Sequence, residues 1–291
     1  MNRNQVHRLA LIAAALLITV PLGALAEATL SLRFEGMDPH LGQMLELRVV
    51  DLDSLEELER LSLPEIPMGS FDLEIAGLPE GGDLRLDFYA DLSGNGRYDA
   101  PPVDHAWRLE VLDLAAEESL VFTHNTEFTD IAWPPAIDGL IGDAEYRNKL
   151  IDPGTGMSVF WQNDDELLYV GLIAPGTGWL SIGFEPENRM QGANILIASI
   201  ADGELTIEDH YGNSPTSHRK DDVDDIIQAA GSEAAGESIL EFVIPLDSGD
   251  LRDKALTAGS EVVIILAYHR SNDSLTSRHS ERSTSSIVLD E

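Results

Sequence analysis

Cysteine is absent from the 291 residues, which excludes disulfides, thiolate metal ligation, thiol nucleophiles and covalent haem attachment through a C-x-x-C-H motif. Basic residues are scarce: 18 Lys and Arg stand against 52 Asp and Glu, a formal net charge of -34. The phosphate backbone of a nucleic acid would meet an opposing field, so nucleic acid is not an expected partner. G-x-S-x-G, H-E-x-x-H and P-loop motifs are missing too. The carboxylates are so numerous that no pair is singled out as glycosidase acid and base. Enzymatic activity therefore has little support, and a non-catalytic binding role is the expectation. Beyond residue 26 no apolar run approaches the roughly 18 residues that a membrane-spanning helix needs.

What is present begins with an export signal over residues 1–26. Arg3 and Arg8 supply the positive start, Leu9 to Val20 the apolar core, and Ala24-Leu25-Ala26 a small-x-small cleavage pattern. A mature chain starting at Glu27, in the periplasm or secreted, is expected. A hydrophobic content of 43% is too high for a disordered acidic chain. The fold class read from the remainder is all-β, two antiparallel β-sandwiches.

Residues 27–131 carry short strand-like runs, at Thr29–Phe34, Gln43–Asp51, Phe71–Ile75, Asp83–Ala90, His105–Leu112 and Ser119–Phe122, punctuated by Gly, Pro, Asp and Asn. No helical pattern long enough for a crossover intervenes; Ser54–Leu61 allows a helical turn or two. Residues 132–139, AWPPAIDG, form a stiff joint, because successive prolines cannot continue a ladder. Two sandwiches docked at a set angle follow. Residues 140–291 resume the alternation at Met157–Trp161, Leu167–Ile173, Trp179–Phe184 and Ala193–Ile200. Later runs at Leu205–His210, Ser238–Ile244, Glu261–Tyr268 and Ser285–Leu289 complete the second sandwich. Tyr211 to Gly231 reads as a long polar loop holding His218, Asp221, Asp222, Asp224 and Asp225, either a binding rim or cation site or plain solvated surface.

Two groups in the first sandwich bear on metals. Asp91, Ser93, Asn95, Arg97 (through its carbonyl) and Asp99 have the alternating oxygens and the central Gly96 of a calcium loop. Pro102 stands where the last ligand belongs and Asp104 lies two places beyond it, so an Asx-rich turn is the competing reading. His40, His105 and His124 fall at strand ends or in loops. Their sequence separations give no ligand spacing, so surface or turn-bracing roles are expected rather than a complete zinc or copper site with Asp104 or Asp130 nearby.

The order Trp179, Gly183-Phe184, a polar loop ending at Met190, Gly192-Ala193-Asn194 and then an apolar strand resembles the DOMON family. The resemblance runs from about Asp138 to Leu289 and implies a β-sandwich that binds haem b or a sugar. It implies Met190 and His279 as an axial pair, with His269 the second choice for the histidine. Trp161, Trp179, Phe184 and Tyr169 would line the slot. Glu185 and Glu187 oppose haem propionates unless Arg189, Arg278 or Arg282 balances them. A haem carrier of this kind needs a separate redox partner protein. The alternatives are a module for carbohydrate or another small ligand, and a structural or adhesive exported protein.

Overall fold

The computed structural model describes residues 27–142 and 145–291; the export signal expected over 1–26 lies outside them. The first sandwich is built from β1 (Glu27–Glu35), β2 (Leu45–Asp51), β3 (Glu57–Leu63), β4 (Ser70–Pro79), β5 (Leu84–Ala90), β6 (His105–Val111) and β7 (Glu117–Thr123). They form a three-stranded sheet, β4-β1-β7, facing a four-stranded sheet, β3-β2-β5-β6. Alternation dictates the layers: Ala28, Leu30, Leu32 and Phe34 point inward from β1, while the residues between them are exposed or half-exposed. Phe34 stacks on Phe71 at 4.8 Å between centroids and meets Phe88 edge-on at 5.3 Å. These rings centre a core that takes its buried residues from both sheets.

Two local expectations change. Ser54–Leu61, read as a helical turn, gives way to the edge strand β3. Its whole length except Ser62 is half-buried, because Leu58, Leu61 and Leu63 reach the core and Arg60 and Glu57 cover the other face. A one-sided helical stripe is not what this edge needs. The pairing of β1 with β7 is parallel, whereas the other strand pairs in both sandwiches are antiparallel.

The second sandwich comprises β8 (Asn148–Ile151), β9 (Ser158–Asn163), β10 (Leu167–Pro175), β11 (Leu180–Phe184), β12 (Asn194–Ala201), β13 (Glu204–Ser214), β14 (Ser217–Lys220), β15 (Gln228–Ala234), β16 (Glu237–Pro245), β17 (Glu261–Tyr268) and β18 (Glu281–Val288). Its sheets run β15-β16-β10-β9-β8 and β14-β13-β12-β11-β17-β18. The stretch read as a long polar loop is largely ordered into the β13/β14 hairpin and β15. Its polarity reflects edge strands, which bury one face at most, rather than missing structure. Gly171 has a packing reason: a Cβ there would sit 2.9 Å from Ile141 and 3.2 Å from the Tyr146 ring. The bare strand lets Ile141 and Tyr146 lie against β10, with Gly139 and Tyr146 bonded to Glu241 of β16.

The joint is held from both sides. Arg60 donates to the Pro134 carbonyl and covers the Trp133 ring at 5.0 Å, while Gln162 donates to the Trp133 carbonyl at 2.8 Å. Leu55 of the first sandwich packs with Tyr169, Ile137 and Ile227 on the outer face of the second.

Candidate functional site

The acidic loop after β5 closes on itself. Asp91 accepts from the Gly94 and Gly96 amides at 2.6 and 2.8 Å and from the Ser93 hydroxyl at 3.0 Å. The Asn95 side-chain amide donates to Asp99 at 2.7 Å while its oxygen accepts from the Arg97 amide. Asp104, fully buried, takes the Ser93 and Asp99 amides. The oxygens of the expected calcium loop thus accept from one another's side chains and from the turn's own N–H groups, the hydrogen-bond pattern of an Asx-rich turn. Arg97 and Asp99 instead face a cleft of about 560 Å³ between the sandwiches. Tyr89 and Glu46 line its first side, Trp133 its floor, and Glu145, Tyr146, Arg147 and Gln162 its far side.

The three histidines do the opposite of what was expected: they converge. His40 sits in a short 3-10 turn between β1 and β2, His105 opens β6, and His124 directly follows β7. The sandwich closes these three points onto one end. His40 Nε2 lies 3.1 Å from His124 Nε2 and 3.4 Å from His105 Nδ1, and one nitrogen from each of the three falls within 4.8 Å of the others. Burial, with His40 alongside, lowers the pKa of both His105 and His124. Sequence spacing could not reveal this, because the contact is made by topology alone.

Met190 and His279 do not converge. Leu180 of β11 pairs with Tyr268 and Phe184 with Ile264. The Met190 loop therefore leaves one end of β11, and the 269–280 loop lies at the other, where Trp179 Nε1 donates to Ser277. Four strand steps of roughly 3.3 Å, about 13 Å, separate the two ends. His269 braces its own turn, accepting from the Ser271 and Asn272 amides. Tyr169 faces the outer cluster, away from Trp161 and Phe184 in the inter-sheet core. That core is filled by side chains such as Leu168, Val170, Leu180, Ile182 and Ile264 with no exposure. Haem b does not fit the Met190/His279 pair in this arrangement.

A second acidic group takes Asp225 from the stretch read as a binding rim, cation site or solvated surface and adds Asp209 and Asp253, which the sequence did not single out. Asp209, Asp225 and Asp253 bring carboxylate oxygens within 4.8 Å of one another. Asp209 Oδ1 is buried without a hydrogen-bond partner. Burial, followed by repulsion from Asp253, Asp224 and Asp221, holds Asp209 up at about 7; the Asp225 amide pulls the other way. Arg252 pairs with Asp221 and Asp222 rather than with Asp209. A carboxyl whose folded pKa is raised lends stability below its unfolded pKa and loses it as pH climbs through the folded value. Thermal midpoints should therefore fall between about pH 4 and pH 7, and Asp209→Asn should flatten that slope. An unchanged slope in Asp209→Asn would remove Asp209 as its source.

The C-terminal half is a DOMON-like β-sandwich domain: residues 153–269 match the DOMON domain model. The mouse and human DBH-like monooxygenase protein 1 are 28% and 30% identical over 136 residues, 47% of this chain and 22% of theirs. The chain thus spans about a fifth of the length of these curated relatives. Among solved structures, the cytochrome b domain of pyranose dehydrogenase from Coprinopsis cinerea aligns at 12% identity, covering 48% of this chain and 80% of that one, with a TM-score of 0.36. The cytochrome domain of Myriococcum thermophilum cellobiose dehydrogenase aligns at 10% identity over 49% and 88%, also with a TM-score of 0.36.

Proposed function

We propose that this chain is an exported binding protein that holds a carbohydrate, in particular one bearing a carboxylate, in the cleft between its two sandwiches. The observation that carries the reading is the lining of that cleft: half-buried Tyr98 and Trp133 beside Arg97, Arg147, Glu46, Asp99, Glu145 and Gln162. The Tyr98 ring offers apolar surface to the C–H side of a sugar, the Trp133 ring being covered by Arg60, and the surrounding charged and amide groups offer partners to hydroxyls. Arg97 and Arg147 are exposed and make no ion pair among the described residues. Two guanidiniums without an ion pair among the described residues, in so acidic a chain, favour a carboxylated ligand.

Calorimetric titration of the whole chain with uronic-acid oligosaccharides, and with neutral ones for comparison, tests this. The acidic sugars should bind more tightly, and Arg97→Ala with Arg147→Ala should weaken them by on the order of tenfold or more. Failure of every sugar in the panel to bind would remove the reading. Electron transfer through haem b, implied by the family resemblance, finds no axial pair at Met190 and His279. Tight uptake of haemin with a low-spin spectrum would restore it over the sugar reading.

A further inference from the structure

The end of the first sandwich carries chemistry that the cleft does not use; none of His40, His105 and His124 lines the cleft. We infer that these three imidazoles form a centre for one late first-row transition-metal cation, Zn²⁺ or Cu²⁺, with a fourth coordination position open to solvent.

Spacing is the first argument. Two imidazole nitrogens each about 2.05 Å from a tetrahedral ion lie roughly 3.3 Å apart. The separations of 3.1 Å from His40 to His124 and 3.4 Å from His40 to His105 bracket that value.

Proton count is the second. His40 Nδ1 lies 2.8 Å from Gln43 Oε1; the amide oxygen can only accept, so that nitrogen carries the ring proton and Nε2 presents a lone pair. A single lone pair then faces two further ring nitrogens, and hydrogen bonding satisfies at most one of them well. A cation satisfies all three. Gln43 takes the outer position that orients a ligating histidine in metal sites.

The surroundings are those of a held site. His40 is 1% exposed, His105 stacks on Phe128 at 3.9 Å between centroids, and Trp107 stands edge-on to His40 and His124 at 5.6 Å. Asp104, adjacent in sequence, is turned away and spent on backbone amides, so the protein ligand set is three nitrogens. His105 and His124 are half-buried, which leaves the outer side of the centre to water or an incoming ligand. Imidazole donors without thiolate or carboxylate suit zinc and copper and discriminate against calcium and magnesium.

The test uses the whole chain stripped with a chelator, then titrated separately with Zn²⁺ and Cu²⁺ by calorimetry, with electron paramagnetic resonance of the copper form. One equivalent should bind, and the copper spectrum should show nitrogen hyperfine splitting. His105→Ala and His124→Ala should each weaken binding by on the order of 100-fold or more. His40 is left intact because its burial makes a folding defect a competing explanation. Asp225→Asn, in the separate acidic group, should bind as the parent does. Tighter binding of either cation names the occupant of the same centre and supports the inference. No saturable binding by the folded parent, or full affinity retained in both histidine variants, would overturn it.

Discussion

Asp87→Ala is expected to destabilise the first sandwich by about 3–5 kcal/mol, the cost of stranding a buried charge. Asp87 lies on β5 with no solvent exposure and meets Arg48 at 2.9 Å and Arg108 at 2.6 Å. Register explains the convergence, since Arg48 of β2 and Arg108 of β6 are its direct partners across the two neighbouring strands. Arg48 is only 3% exposed, and its other carboxylate, Glu57, stands at 3.9 Å. Removing Asp87 leaves that guanidinium dry and nearly alone, whereas Asp87→Asn keeps one oxygen that can accept from a guanidinium and should cost less. Urea denaturation followed by Trp107 fluorescence measures the difference. A loss below about 1 kcal/mol would mean that water or Glu57 takes over the pairing.

The second large effect belongs to Glu241 of β16, also without exposure. Its carboxylate accepts from the Tyr146 hydroxyl at 2.8 Å and the Gly139 amide at 2.8 Å, tying Gly139 and Tyr146 to the sheet. Burial pushes Glu241 up to about 7, against the hydrogen bond from Tyr146. The sign is that of a raised carboxyl: stability falls as pH rises from about 4 to about 7. Glu241→Ala, which orphans both donors, should cost on the order of 3 kcal/mol at pH 5 and less at pH 8, where the buried carboxylate it removes is charged. Glu241→Gln can still accept from Gly139 and donate to the Tyr146 oxygen, so it should be mild at pH 5 and neutral or stabilising at pH 8. Because Tyr146 and Glu145 wall the cleft, only the Ala variant should also lose the ligand. Denaturation at the two pH values decides; equal losses for Ala and Gln would show that the side chain's volume matters and its hydrogen bonds do not.

Strand alternation was legible because inward apolar and outward polar residues leave a period of two, as in β1 and β17. It failed at β3, β14 and β15, edge strands whose faces are half-covered and carry no clean period. The site was less legible, for a different reason. Asp87 and Glu241 look like any acidic residue within an apolar strand; the partners of Asp87 lie on neighbouring strands and those of Glu241 in the irregular segment before β8. The histidines were visible one by one, but their meeting depends on which ends of β6 and β7 the sandwich brings together. Met190 and His279 show the converse: each matched a family position, yet the register of β11 with β17 sends their loops to opposite ends.

The parallel pairing of β1 with β7 sets an order of events for the first sandwich. β1 lies in the middle of its sheet, between β4 and β7, but Thr29 finds its β7 partner only at Glu117. Until that distant segment has been made and delivered, the apolar β1 has one open edge, the condition in which strands recruit copies of themselves. Contacts this far apart in sequence also form slowly. The formal charge of -34 then acts before the native state exists, keeping waiting chains apart by mutual repulsion until β7 closes the edge.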